Sequence, residues 1–381
     1  MTALSSGPVV HDADSGQWFV FRYDDVRAGL DDERLTVDRM YAFADRAPPG
    51  AVEALRRYAP WAISPSGADY TWIPPLMQAG LRTTSPAGSG LATAAAADEL
   101  LDSLLERSNF DLVGDYALPL MGWMLADFLG GDRRDGPLLM QWALDLAAFF
   151  NNPSFTAART EQMGRSVSEM VAYAQGLLTT SRARQHGGFL VLAREAAKNH
   201  GRVLDDEGIG NITLPFLTGQ VGVAHLIANA VWLLLHHSDQ SAKLTANPDL
   251  LPGVIAETMR YMSPIALVPR IALEPIALED HTVRRGETIL FSVAAANRDP
   301  TRFSDPHRFD ITRSQAGALG FGHGAHSCIA AGLARRQAGS AVKALIRRAP
   351  GLILDTSNDA VWSAIPSVQA LDTFSVRPSA H

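Results

Sequence analysis

The single cysteine of this chain, Cys328, follows Phe321-Gly322-His323-Gly324-Ala325-His326-Ser327 and precedes Gly332 to Leu345, whose apolar spacing predicts a helix. A thiolate just ahead of a helix is stabilised by unpaired backbone N–H groups and by the dipole. Two glycines among these residues let the backbone turn tightly and approach a flat ligand. A lone cysteine is more often a small buried hydrophobe, so the neighbours, not the sulfur, argue for ligation. With one cysteine the chain can form no intrachain disulfide and no multi-thiolate zinc or iron–sulfur site of its own.

Glu257-Thr258-Met259-Arg260 places an acid and a base three apart on a helix, a spacing that alone means only a surface pair. Its place gives it weight, because it follows the longest apolar-periodic stretch and precedes Pro269-Arg270. From Asn297 to Phe321 the chain is rich in Asp, Pro, Gly and Arg with little periodicity, and irregular segments of that length are usually functional.

Together these residues resemble the cytochrome P450 family. Residues 321–328 look like its haem-binding loop, F-G-x-G-x-H-x-C-x-G, matched at each specified position except the last, where Ala330 stands for glycine. Leu333-Ala334-Arg335 continues the pattern. The resemblance implies that Cys328 ligates the iron of a haem b, its electron donation favouring O–O cleavage. It implies that Phe321, Gly322 and Ala330 contact the haem, that His326 and Arg270 meet its propionates, and that Glu257, Arg260 and Arg308 form a structural triad bracing the thiolate side. A guanidinium suits a carboxylate because its planar fork donates two parallel bonds.

Two segments depart from the family. Leu217-Thr218-Gly219-Gln220-Val221-Gly222-Val223 resembles A-G-x-E/D-T-T, whose acid and alcohol deliver protons during oxygen activation. Gly219 fits, but Val221 replaces the acid and Gly222 the alcohol, and neither can relay a proton. Gln220 and His225 are the nearest polar substitutes, although a histidine here also reads as one facing another element. Residues 64–74 stand where the family reads D-P-P-x-H-T-x-x-R; Tyr70 takes the place of the histidine and Pro74 that of the arginine, so a haem partner is lost unless Arg82 compensates.

The elements that must position these groups can also be read. Trp18 to Phe21 reads as a strand, with a helix opening at Tyr23; Ala92–Arg107 and Tyr116–Leu129 read as amphipathic helices. Ile209 to His237 would make a helix on the order of 40 Å long. Arg270 to Phe291 reads as hairpins. A mainly helical fold with a small β lobe, the P450 fold, is expected over residues 1–381 as one domain, with 47% apolar residues supplying the core.

A net charge of −7 disfavours nucleic acid as a partner. The N-terminus lacks a signal pattern and no run of about 20 consecutive apolar residues occurs, so a cytoplasmic chain without membrane spans is expected. The resemblance implies oxidation of a small organic molecule, such as hydroxylation in bacterial secondary metabolism, with substrate or water assisting proton delivery. The electrons would come from a separate ferredoxin and its reductase, docking near Arg335 and Arg336 unless those arginines form an ordinary solvated face. Two other readings stay open: a haem-thiolate enzyme that uses peroxide, rearranges or dehydrates, and a haem protein that only binds a ligand. Substrate contacts are expected from the loop after Ser64, from Phe149 and Phe150, and from Ile265 to Val268.

Overall fold

The computed structural model describes residues 7–37, 73–83, 86–151, 156–180, 188–314 and 317–378. Tyr70, and the loop after Ser64, lie outside them.

The described helices are α1 (Tyr23–Leu30), α2 (Ile73–Thr83), α3 (Pro86–Leu104), α4 (Leu118–Leu129), α5 (Gly136–Phe150), α6 (Ala157–Thr179), α7 (Phe189–Asn199), α8 (Asp206–His236), α9 (Ser238–Ala246), α10 (Leu251–Tyr261), α11 (Val293–Ala296) and α12 (Ala331–Arg348). The strands are β1 (Val9–Asp12), β2 (Gln17–Val20), β3 (Leu35–Thr36), β4 (Phe110–Asp111), β5 (Leu267–Ala272), β6 (Ile276–Leu278), β7 (His281–Val283), β8 (Thr288–Ser292), β9 (Ile353–Leu354), β10 (Val361–Trp362), β11 (Leu371–Thr373) and β12 (Ser375–Arg377).

α8 is the axis of the helical part and packs against α4, α5, α6, α10 and α12. It begins where the Asp205 carboxylate accepts the Gly208 N–H at 2.9 Å, which satisfies one of the free donors of the first turn. Pro215 sits inside it and cannot donate to the preceding turn. The Thr218 hydroxyl donates to the Leu214 carbonyl at 3.1 Å, a side-chain bond typical of bent helices. Leu112–Leu129 and α8 are apolar and long enough by composition to cross a membrane, which a count of consecutive apolar residues misses; most of each is buried inside the protein. They are core helices here.

The β lobe has its own apolar cluster, including Val20, Val26, Ile289 and Phe291. Its sheet runs β1-β2-β8-β5-β3, with β2 parallel to β8 and β5 antiparallel to it. The expected hairpins between Arg270 and Phe291 are thus two structures: β6 pairs with β7, while β5 and β8 join the N-terminal strands. In β5, Val268 and Arg270 are two apart and so share a face. That face lines the cavity described next.

Candidate active site

A cavity of about 920 Å³ lies among α8, α5, β5, the start of α12 and the loop carrying Cys328. Of the residues singled out from sequence, Gly219, Gln220, Val221, Gly222, His225, Arg270, Phe321, Gly322, His326, Cys328 and Ala330 all line it. Phe150, Ile265 and Val268 line it too, whereas Phe149 belongs to the core. A second groove of about 460 Å³, lined by Arg302, Arg308 and Arg313 among others, shares no residue with it and holds none of the thiol chemistry.

The cysteine loop is fixed by its own backbone. The Cys328 N–H donates to the Phe321 carbonyl at 2.8 Å, and the Gly322 N–H to the Leu319 carbonyl at 2.8 Å. Gly322 and Gly324 take φ of +77° and +72°, in the left-handed region that side chains resist, and a Cβ on Gly324 would collide with Asp31. The Arg335 guanidinium lies 4.3 Å from the Phe321 ring centroid, a cation–π contact that pins the start of the loop to α12. Burial pushes the Cys328 thiol above its ordinary value; an Ala330 N–H bond and the charge of Arg335 pull the other way. Metal ligation takes the thiolate and so overrides that preference.

Behind the loop lies a buried ionic brace. Glu257 and Arg260 are both fully buried and meet through two bonds, Nε to Oε2 at 2.7 Å and Nη2 to Oε1 at 2.8 Å. Arg260 gives its remaining hydrogens to the carbonyls of Asn297 (2.9 Å), Pro306 (2.9 Å) and Arg308 (3.0 Å), so every donor of its fork is used. Asn297 passes this order on, its Oδ1 accepting the Leu319 N–H at 2.7 Å just before the loop.

The expected third member of the triad is corrected. Arg308 contributes only its backbone carbonyl, and its side chain is exposed. The guanidinium that joins Glu257 belongs to Arg313, with Nε 3.3 Å from Oε1. Arg313 also donates to the carbonyls of Ser304 and Asp305, tying the irregular segment on itself. The sequence offered only the presence of another arginine shortly after Arg308.

Arg270 is 6% exposed, and burial lowers its pKa to about 10, which leaves it charged at neutral pH. Among the described residues no carboxylate pairs with it; its Nη1 donates only to the Pro269 carbonyl, at 3.0 Å. His326 shares its field: burial, and then the charge of Arg270, lower the imidazole pKa and favour the neutral ring. A buried cation with no carboxylate partner among the described residues suits an anion brought by a ligand. Together with a thiol on the same cavity and a glycine turn beside it, this donor set fits a flat, iron-bearing macrocycle with acidic side arms.

The α8 wall is unlike this. Cβ atoms built on Gly219 and Gly222 would meet nothing within 4 Å, so both leave open space. The Gln220 side chain is 4% exposed and its Oε1 has no hydrogen-bond partner among the described residues. Val221 is buried and apolar. Burial lowers the His225 pKa to about 4, so this ring is neutral at neutral pH. Among the residues that sequence reasoning missed are the two acids of the lining, Asp145 and Asp372, because an isolated acid in a helix or strand carries no pattern.

The sequence profile of the family described as Cytochrome P450 matches residues 224–349. Cytochrome P450 107B1 of Saccharopolyspora erythraea is 31% identical over 376 residues, covering 95% of this chain and 89% of that protein. Cytochrome P450 monooxygenase PikC of Streptomyces venezuelae is 35% identical over 285 residues, 74% of this chain and 67% of PikC. The crystal structure of CalO2 superposes with a TM-score of 0.86 at 28% identity, covering 99% of this chain and 94% of CalO2.

Proposed function

The chain belongs to the cytochrome P450 family, and from that premise we propose that residues 1–381 form one haem-thiolate domain that inserts oxygen into a small organic molecule. Oxidative tailoring in bacterial secondary metabolism is the setting, as the relatives indicate. The observation that carries this reading is the pairing, in one cavity, of the backbone-fixed Cys328 with the buried Arg270, which has no carboxylate partner among the described residues.

Cys328 would hold the iron of haem b, Arg270 and His326 would hold its carboxylates, and Phe321, Gly322 and Ala330 would let the ring lie close. When bound, the haem supplies oxygen activation at a thiolate-ligated iron. The chain's own residues supply the rest. Leu144, Ala147, Ala148, Phe150, Ile265 and Val268 exclude bulk water from the cavity. The acid–alcohol pair is replaced by Val221 and Gly222, so a substrate hydroxyl or a water occupies the space beside Gly222 and holds the proton there. A ferredoxin and its reductase deliver electrons on the Arg335 face, where a basic side chain meets an acidic carrier.

The same replacement favours a second reading, in which no reductive oxygen activation occurs and the substrate is oxidised by peroxide, rearranged or dehydrated. Incubating candidate substrates with reductase, ferredoxin and NAD(P)H, with peroxide, and with no oxidant separates the two. Product that depends on reductant and oxygen is expected. Product formed without any oxidant would assign the second reading, and a Cys328→Ala protein that kept the ferrous–carbon monoxide Soret band typical of thiolate ligation would end both.

A further inference from the structure

Among the polar side chains of the cavity lining, His225 has no task in the reading above. It lies on the stripe of α8 that faces the cavity, with Pro215, Thr218 and Gly222 before it at helical spacing, and all four line the space. Side chains on a helix lean towards its N-terminus, so the imidazole is carried back over the preceding turn, that of Val221 and Gly222. Gly222 offers no side chain there, and a Cβ built on it would meet nothing within 4 Å. Positions three or four apart on a helix are neighbours, about 5–6 Å between Cβ atoms, so the ring borders this gap.

His225 is half-buried, and among the described residues nothing hydrogen-bonds to either ring nitrogen. Burial lowers its pKa to about 4, so at neutral pH the ring is uncharged and offers an N–H donor and a lone-pair acceptor. The other polar group of the stripe is already spent, because the Thr218 hydroxyl donates to the Leu214 carbonyl at 3.1 Å. Apolar side chains such as Leu144, Phe150 and Val268 make up much of the lining, so a polar atom of a ligand gains most where a partner stands unbonded. A water held by the ring is displaced without loss only by a ligand group that reproduces its bond.

We propose that His225 determines specificity: it hydrogen-bonds an uncharged oxygen of the substrate, hydroxyl or carbonyl, that seats in the gap beside Gly222. The proposal rests on the haem-thiolate reading for what the cavity is, and on the α8 stripe for where the bond is made.

Haem-loaded protein is titrated at neutral pH with cyclohexanol, cyclohexanone and methylcyclohexane, read by calorimetry and by the Soret spin-state shift. The probes share a six-membered ring and differ in the oxygen. In His225→Phe, which keeps an aromatic ring and removes both polar atoms, the affinities for alcohol and ketone should fall about fivefold, while that for the hydrocarbon stays within about twofold. His225→Gln keeps a donor and an acceptor and should hold the oxygenated probes better than the Phe variant does. Losses shared equally by the three probes, no loss at all, or a Gln variant that behaves as the Phe variant does overturns the proposal. The ferrous–carbon monoxide band on the same samples keeps the two levels apart: a normal band without a selective loss sinks the His225 contact alone, and a missing band in the unaltered protein sinks the haem-thiolate reading and this proposal with it.

Discussion

Segment 297–328 and the stretch 215–225 of α8 line or support one cavity and are built on opposite terms. In the Cys328 loop the turns are bonded, Gly322 and Gly324 take the left-handed positions, and the arginine behind them spends every hydrogen it has. Along α8 a proline interrupts the ladder, two glycines leave open space and the buried Gln220 Oε1 has no partner among the described residues. The first wall needs nothing but its cofactor. The second leaves room, and variation of that kind is how a shared fold acquires a substrate of its own.

The largest effect that would test this contrast is removal of charge from the brace. Glu257→Gln leaves Arg260 buried without its anion, and should destabilise the protein by about 3–5 kcal/mol in denaturant unfolding. A cost under about 1 kcal/mol would mean that the brace is not what rigidifies the loop.

His225 tests the other wall through pH. Burial holds its folded pKa at about 4 against an ordinary 6.5, so the unfolded chain takes up the proton first. Its contribution is therefore fully present above pH 6.5 and is lost as pH falls towards 4, by about 3 kcal/mol at most. In His225→Phe that part of the acid dependence should vanish. An unchanged slope between these values would show that the ring is solvated.

Next comes the choice between two arginines. Arg313→Ala removes a guanidinium from buried Glu257 and should cost about 1.5–3 kcal/mol, while Arg308→Ala should stay within about 0.5 kcal/mol. The reverse ranking would restore Arg308 to the ionic triad.

Smallest are two alanine substitutions of opposite sign. Gly219→Ala adds a methyl to open space inside a helix and should stabilise by about 0.5–1 kcal/mol. Gly324→Ala forces a side chain into the left-handed region and onto Asp31, and should destabilise by about 1–2 kcal/mol. If both shifted the melting temperature the same way, the difference between the walls would be lost.

What could be read from the sequence followed the same divide. The Cys328 loop and the Glu257-Thr258-Met259-Arg260 motif are local in the chain, so the family resemblance and their order along it located them. α8 was visible because thirty residues of apolar periodicity outweigh one proline, although its start lies at Asp206 rather than Ile209. The assignment of Arg308 failed because the segment is irregular: without a period, nothing in the sequence says which of two arginines turns inward. Asp145 and Asp372 were invisible for a related reason. Asp145, for one, meets Gln162 and Ser166 of α6, a pairing that only the folded chain supplies.

The reach of Arg260 also bears on how the cofactor would enter and leave. One fully buried side chain ties Asn297, Pro306 and Arg308 to α10, so this flank cannot swing outward without stranding a guanidinium that has no water to turn to. A cofactor would then load and leave without this flank opening, and the thiolate pocket would behave as a finished socket rather than a clasp that folds around its contents.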